Sequence, residues 1–216
     1  MRRRVAPSIL AADFGRLHDQ VQAVVDAGAE VVHIDIMDAH FVPTLSMGPP
    51  AVAALRDVDA LLDIHLMIER PERHVQDFAA AGANNITVHY EATPHVHKAV
   101  QAIKESGCTA GVALTPSTPV EALSEIRGEL WSVLCMTVNP GWGGQQFIPA
   151  SLDKIRRLRA LVGPDVELEV DGGIDEHTAG PCAEAGATLF VAGTSVFGTV
   201  DPGGAFRRVS AAGGCS

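Results

Sequence analysis

Val31-Val32-His33-Ile34-Asp35-Ile36-Met37-Asp38 sets an imidazole or a carboxylate on alternate residues inside an otherwise apolar run. In a strand, alternate residues share a face. His33 and Asp35 therefore point one way while Val32, Ile34 and Ile36 point the other. The same alternation returns in Leu62-Asp63-Ile64-His65-Leu66-Met67 and in Glu169-Val170-Asp171-Gly172-Gly173. A buried carboxylate is costly unless it is paired, hydrogen-bonded or metal-bound. Three strands from distant parts of the chain that each spend buried positions on His or Asp point to one shared site.

Working outward, the same unit repeats: a short β-branched run, a polar or glycine loop, then an Ala/Leu-rich helical stretch. The pattern predicts strands at Val5–Leu10, Val31–Ile36, Leu61–Met67, Asn85–His89, Thr109–Leu114, Ser132–Val138, Val166–Asp171 and Leu189–Ala192. Helical patterns fall between them at Phe14–Ala27, Pro71–Ala81, His95–Ser106, Ser151–Leu161 and Glu176–Ala185. Several meet a glycine where a helix prefers to end, at Gly28, Gly82, Gly107 and Gly186. Alternating strands and helices call for a parallel α/β fold. An open doubly wound sheet satisfies that pattern, but eight units at this chain length favour a closed (β/α)8 TIM barrel, one domain over residues 1–216.

In such barrels the active site lies at the C-terminal ends of the strands. That selects Asp35, His65 and Asp171, with His33 beside them. Asp63, Glu167 and Glu169 fall lower and read as a polar packing layer. Taken singly, an inward His or Asp is usually a hydrogen-bonded core group. Four converging on one barrel mouth offer N and O ligands to a divalent ion such as Zn, Fe(II), Mn or Co. HExxH is absent, so zinc-protease helix chemistry has no support. Two carboxylates beside a metal suit proton removal next to a carbonyl, with the metal stabilising an enediolate oxygen and each Asp moving a proton on its own face.

Phosphate signals are independent of these. Asn139-Pro140-Gly141-Trp142-Gly143-Gly144-Gln145, Asp171-Gly172-Gly173-Ile174 and Ala192-Gly193-Thr194-Ser195 follow the sixth, seventh and eighth strands. Each alone is an ordinary turn; together, in consecutive loops, they fit the frequent barrel phosphate site. Pro140 to Phe147 is also a candidate lid with Trp142 as its cover. Met37, Met67 and Met136 share inward parity near strand ends; each is a soft core filler or part of an apolar roof over the reacting centre. Ser8 closes the first strand as a satisfied hydroxyl or a substrate contact. Of the remaining histidines, His40 and His89 are the two not read as plain surface or loop.

Composition bounds the class. A net charge of −10 argues against a nucleic-acid surface, which needs clustered Lys and Arg. No apolar run reaches the roughly 18 residues of a membrane span. Met1-Arg2-Arg3-Arg4 mimics a signal peptide's basic end, but Pro7, Ser8 and Asp13 break the run behind it. Four scattered cysteines without CxxC read as reduced thiols of a cytoplasmic protein.

The ordered set APSILAADF (Ala6 to Phe14), HIDIMDAHFVP (His33 to Pro43), LDIHLM (Leu62 to Met67), ITVH (Ile86 to His89), MTVNPGWGGQ (Met136 to Gln145), FIP (Phe147 to Pro149), EVDGGI (Glu169 to Ile174) and VAG (Val191 to Gly193) resembles the ribulose-phosphate 3-epimerase family along essentially the whole chain. The resemblance implies a barrel of the ribulose-phosphate-binding type that interconverts D-ribulose 5-phosphate and D-xylulose 5-phosphate. It implies one divalent metal per subunit on His33, Asp35, His65 and Asp171, with Asp35 and Asp171 as the acid/base pair. Substrate contacts would come from Ser8, His65 and Asp171, and from Gly141, Trp142, Gly143, Gly144, Gly172, Gly173, Gly193 and Thr194 around the phosphate. Homo-oligomers are common in the family. Ala39, Thr44, Thr137 and Trp142 stand where the family often has other residues, beside rather than on the ligands. Alternatives are a 3-epimerase of D-allulose 6-phosphate and a non-catalytic phosphosugar-binding module. An orotidine-type decarboxylase lacks support because Asp-x-Lys-x-x-Asp is missing.

Overall fold

The computed structural model describes residues 2–215. Among them, eight strands form one parallel sheet: β1 (Arg4–Pro7), β2 (Val31–Met37), β3 (Leu61–Met67), β4 (Asn85–His89), β5 (Thr109–Leu114), β6 (Ser132–Met136), β7 (Glu167–Asp171) and β8 (Leu189–Ala192). From β2 to β8 each strand pairs with the next in sequence, and β1 pairs with β8. A parallel bridge from Ser8 to His33 brings the β1 end against β2 and closes the barrel. The helices are α1 (Leu17–Asp26), α2 (Pro49–Ala53), α3 (Val75–Ala81), α4 (Val96–Glu105), α5 (Ser151–Val162), α6 (Ala179–Ala185), α7 (Thr194–Phe197) and α8 (Pro202–Ala212).

Parity sorts the side chains as the alternation requires. Val32, Ile34, Ile36, Leu62, Ile64, Leu66, Leu168 and Val170 belong to one buried apolar cluster shared with helix residues such as Val21, Val24, Val100 and Leu158. The opposite faces fill the barrel with polar groups and two smaller apolar clusters, Ala6, Val31, Leu189 and Val191, and Ala113, Leu134, Met136 and Val138. Register sets the layers: His33 lies beside Asp63, Asp35 beside His65, and His65 beside Thr87. Asp171 lies beside Met136 on the far side.

The differences from the sequence expectations are local. β1 stops at Pro7, and Ile9–Ala11 is a 3₁₀ turn whose Leu10 N–H is capped by the Ser8 hydroxyl, which draws the chain out of the ladder. β6 ends at Met136, two residues early. Phe14–Arg16 and Pro71–Arg73 form 3₁₀ turns ahead of α1 and α3, and α6 starts at Ala179. Between β5 and β6 the chain makes two 3₁₀ turns in place of a helix. Among the described residues no helix is long and apolar enough to cross a membrane, and all four cysteines are free.

Candidate active site

β2, β3 and β7 deliver His33, Asp35, His65 and Asp171 to one point, where a ligand atom from each lies within 4.8 Å of the others. Asp35 is the hub. Its Oδ1 sits 3.2 Å from His33 Nε2 and 3.0 Å from His65 Nδ1, and its Oδ2 accepts a 2.6 Å hydrogen bond from Ser8 Oγ. Asp171 Oδ2 stands 3.8 Å from His65 Nδ1. Ser8, whose role was open between structure and substrate, thus orients Asp35 at the mouth of the cavity.

The donor set fits a divalent cation on an observation of its own. His33 Nδ1 lies 2.7 Å from Asp63 Oδ2. A carboxylate accepts only, so Nδ1 carries a hydrogen towards Asp63, and Nε2, facing Asp35 Oδ1, needs a second proton or a cation between them. His65 Nε2 lies 2.9 Å from His89 Nε2, and His89 Nδ1 lies 3.3 Å from Glu91 Oε2. With a cation beside Asp35, His65 donates from Nε2 to His89 and leaves its Nδ1 lone pair for the ion; without one, Asp35 Oδ1 calls for a hydrogen there. Acceptors facing acceptors at about 3 Å need a proton or a cation between them. Imidazole nitrogens and carboxylate oxygens are ordinary ligands for Zn, Fe(II), Mn and Co, and ligating histidines anchored from behind by carboxylates are the usual supporting arrangement.

Charge follows from the same contacts. Burial opposes ionisation of Asp35, but His33 and His65 outweigh it and hold its carboxyl far below the usual range. Asp171 is pushed up to about 7, by burial first and then by the neighbouring negative charge of Asp35. Burial takes His65 down to about 4, so it is neutral at pH 7. For His33, burial works against the charged ring, but Asp35 and Asp63 raise it well above normal. That field favours positive charge at Nε2, the place a cation would take.

A cavity of about 600 Å³ opens over this cluster. Asp35, Asp171 and Ser8 reach its wall, while His33 and His65 are wholly buried behind them. Met37, Met67 and Met136 line it and are buried, as an apolar roof requires. The remaining wall is the three glycine loops, and Gly141, Trp142, Gly143, Gly144, Gly172, Gly173, Gly193 and Thr194 all contribute. Two of these glycines are required by the backbone. Gly172 has φ +119° and a Cβ there would run into Val138; Gly173 has φ +65° and its Cβ would lie 2.5 Å from Phe147 N. The turn after β7 is therefore folded tightly beneath the loop after β6. Thr137 Oγ1 secures it by donating to the carbonyls of Asp171 and Gly172. Trp142 is half exposed above, and Gln145 Nε2 ties its loop to the carbonyls of Asn139 and Trp142.

Asp63 and Glu169 turn out to be more than packing. Asn85 donates to Asp63, Asp63 holds His33, and Glu169 Oε1 approaches His33 Nδ1 at 3.2 Å. Burial and the adjacent Asp63 raise Glu169 well above the usual carboxylate range. Glu167 pairs with Arg4 at 2.6 Å, lower in the barrel. His89 joins the site from behind His65. Its signal was the inward alternation Asn85, Thr87, His89, with Glu91 two residues on. Burial alone would raise Glu91, but His89, Thr118 and the Thr115 N–H hold it down to about 2. His40 is exposed, 2.7 Å from Glu69 and apart from the cluster.

Comparison with known proteins gives the chain's family. The chain is 49% identical over 203 residues to the ribulose-phosphate 3-epimerase of Bacillus subtilis (strain 168), covering 92% of this chain and 94% of the relative. It is 48% identical over 202 residues to that of Escherichia coli (strain K12), covering 91% and 90%. Among solved structures, KGPDC from Streptococcus mutans superposes with TM-score 0.76 at 17% identity, covering 98% of this chain and 97% of that one. The 3-hexulose-6-phosphate synthase of Salmonella typhimurium gives 0.75 at 18%, covering 99% and 98%. At such identities these two speak for the barrel alone. The sequence model of the ribulose-phosphate 3 epimerase family matches residues 4–197, and the chain belongs to that family.

Proposed function

We propose that the protein interconverts D-ribulose 5-phosphate and D-xylulose 5-phosphate by inverting C3 through two aspartates, as one barrel domain over residues 1–216. The observation that carries this reading is the unequal pair of carboxylates at one cavity wall: Asp35 held ionised, Asp171 pushed up to about 7. Neighbouring acids driven apart in this way are suited to act as base and acid together.

The substrate's phosphate sits against the backbone of the loops after β6, β7 and β8, where the first N–H groups of α7 have no preceding carbonyl to bond. Its C2 carbonyl and C3 hydroxyl lie towards His33, Asp35, His65 and Asp171, the residues that would hold a divalent cation. Bound there, such an ion supplies Lewis acidity to the sugar oxygens. Asp35, oriented by Ser8, takes the C3 proton; the electron pair left behind spreads onto the C2 oxygen as a planar enediolate. Asp171 delivers its proton to the opposite face of C3. The configuration is inverted, and the two carboxyls exchange protonation states before the next turnover. Met37, Met67 and Met136 keep water off the planar intermediate. The reverse direction uses the same pair with roles swapped.

A substrate panel tests this reading against a hexulose-phosphate epimerase. With purified, metal-loaded protein, kcat/KM for D-ribulose 5-phosphate is expected to exceed that for D-allulose 6-phosphate by at least ~10-fold, the ordinary reach of one added carbon unit. Preference for the six-carbon sugar assigns the hexulose instead. Sugar-phosphate binding with no turnover of either sugar makes the protein a binding module.

A further inference from the structure

We propose that His89 and Glu91 are positioning residues that fix the tautomer of His65 and thereby strengthen cation binding at the cluster. The inference rests on the metal reading above. His89 is fully buried at the end of β4. Its Nδ1 lies 3.3 Å from Glu91 Oε2, and its Nε2 lies 2.9 Å from His65 Nε2. The carboxylate can only accept, so His89 carries its hydrogen on Nδ1 and offers a lone pair at Nε2. His65 must then donate from Nε2. With a cation beside Asp35, that leaves the His65 Nδ1 lone pair free to bind it, 3.0 Å from Asp35 Oδ1 and 3.8 Å from Asp171 Oδ2.

The outer end of this chain is itself held. Glu91 Oε1 accepts from the Thr115 N–H and the Thr118 hydroxyl. Lys154 Nζ donates to the carbonyls of Thr115 and Thr118, fixing that loop against α5. The Phe41 ring packs on His89 with centroids 5.0 Å apart, which limits rotation of the imidazole. His33 is oriented by a carboxylate directly, through Asp63. His65 has no carboxylate of its own on Nε2 and depends on His89 to transmit the orientation from Glu91.

Without Glu91 as an acceptor, His89 can turn its hydrogen to Nε2. His65 would then accept at Nε2 and carry its hydrogen on Nδ1, which a metal must displace before it binds. Long-range ¹H–¹⁵N spectra of the Zn-loaded, ¹⁵N-labelled full chain at neutral pH read both tautomers. The expected result is hydrogen on Nε2 of His65 and on Nδ1 of His89. Co(II) titration then compares wild type, Glu91→Gln and Glu91→Asp. Glu91→Gln is expected to weaken Co(II) binding by about 10–100-fold, the usual size of such outer contacts, and to alter the visible Co(II) spectrum. Glu91→Asp is expected to recover part of both. A wild-type His89 with its hydrogen on Nε2 overturns the relay, even where Glu91→Gln fails to fold. So does a Glu91→Gln protein with affinity within about twofold of wild type and an unchanged spectrum. A wild type that takes up no Co(II) overturns the metal reading and the relay together, whereas uptake that is indifferent to Glu91 overturns the relay alone.

Discussion

Asp35→Asn and Asp171→Asn are each expected to cut turnover by at least ~100-fold, the ordinary scale of a lost acid or base. The two substitutions keep shape and remove a proton site, so the cavity and the glycine loops are unaffected. Asp35→Asn also takes the hub from between His33, His65 and Ser8. Turnover by either variant within a few-fold of wild type removes that residue from its role. The same Asp171→Asn carries a second, opposite signature. In metal-free protein Asp171 titrates at about 7 against an ordinary value of 3.8, so its native-state pKa lies above its unfolded one. Stability is full below about pH 4 and is lost as pH rises towards about 7, by up to about 4 kcal/mol for a shift of this size. Asparagine has no charge to bury. At pH 8 the metal-free variant is therefore expected to melt at least ~5 °C above metal-free wild type, and at pH 4 the difference disappears. A variant that loses activity and stability together at pH 8 contradicts the assignment.

Removal of the divalent ion is expected to abolish epimerisation, by at least ~100-fold, and readdition of Zn, Fe(II), Mn or Co to restore it. Two imidazole nitrogens and the Asp171 carboxyl converge on Asp35, a set of N and O donors that a divalent cation would complete. The barrel is not expected to unfold with it. Its stability comes from the apolar layer between strands and helices, and the anchors of His33 and His65 lie behind the cluster. Chelation should therefore lower the melting temperature at pH 8 while leaving the circular dichroism of the fold intact, since an ion that binds only the native state stabilises it by mass action. Unimpaired turnover in protein shown metal-free by elemental analysis contradicts the metal reading.

The alternation was legible because Ile34, Ile36, Ile64, Leu66 and Val170 leave no doubt which face of each strand meets the helices. A one-residue slip would bury the wrong set, so parity alone put His33, Asp35, His65 and Asp171 on one side. The supporting shell was harder to see. His89 ends a strand whose other inward residues, Asn85 and Thr87, carry no titratable group, and Glu91 lies past the strand in a 3₁₀ turn. Asp63 and Glu169 were legible as inward groups, but only packing distances distinguish a filler from the group that orients His33. α8 is a similar case. Asp201 and Pro202 are good helix-start residues, yet Gly203 and Gly204 argue against a helix. In the structure a Cβ at Gly203 would lie 3.1 Å from Ala23 O, so a glycine there lets α8 approach α1. Helix propensity yields to a tertiary contact that no local pattern encodes.

Solvent exchange at C3 reaches the central claim most directly. Metal-loaded wild-type protein is incubated with D-ribulose 5-phosphate in D₂O, and the product is read by proton NMR and mass spectrometry. Two aspartates acting on opposite faces predict D-xylulose 5-phosphate that carries one solvent deuterium at C3. Product that keeps its original C3 hydrogen, or metal-loaded protein that neither exchanges nor inverts C3, contradicts the account.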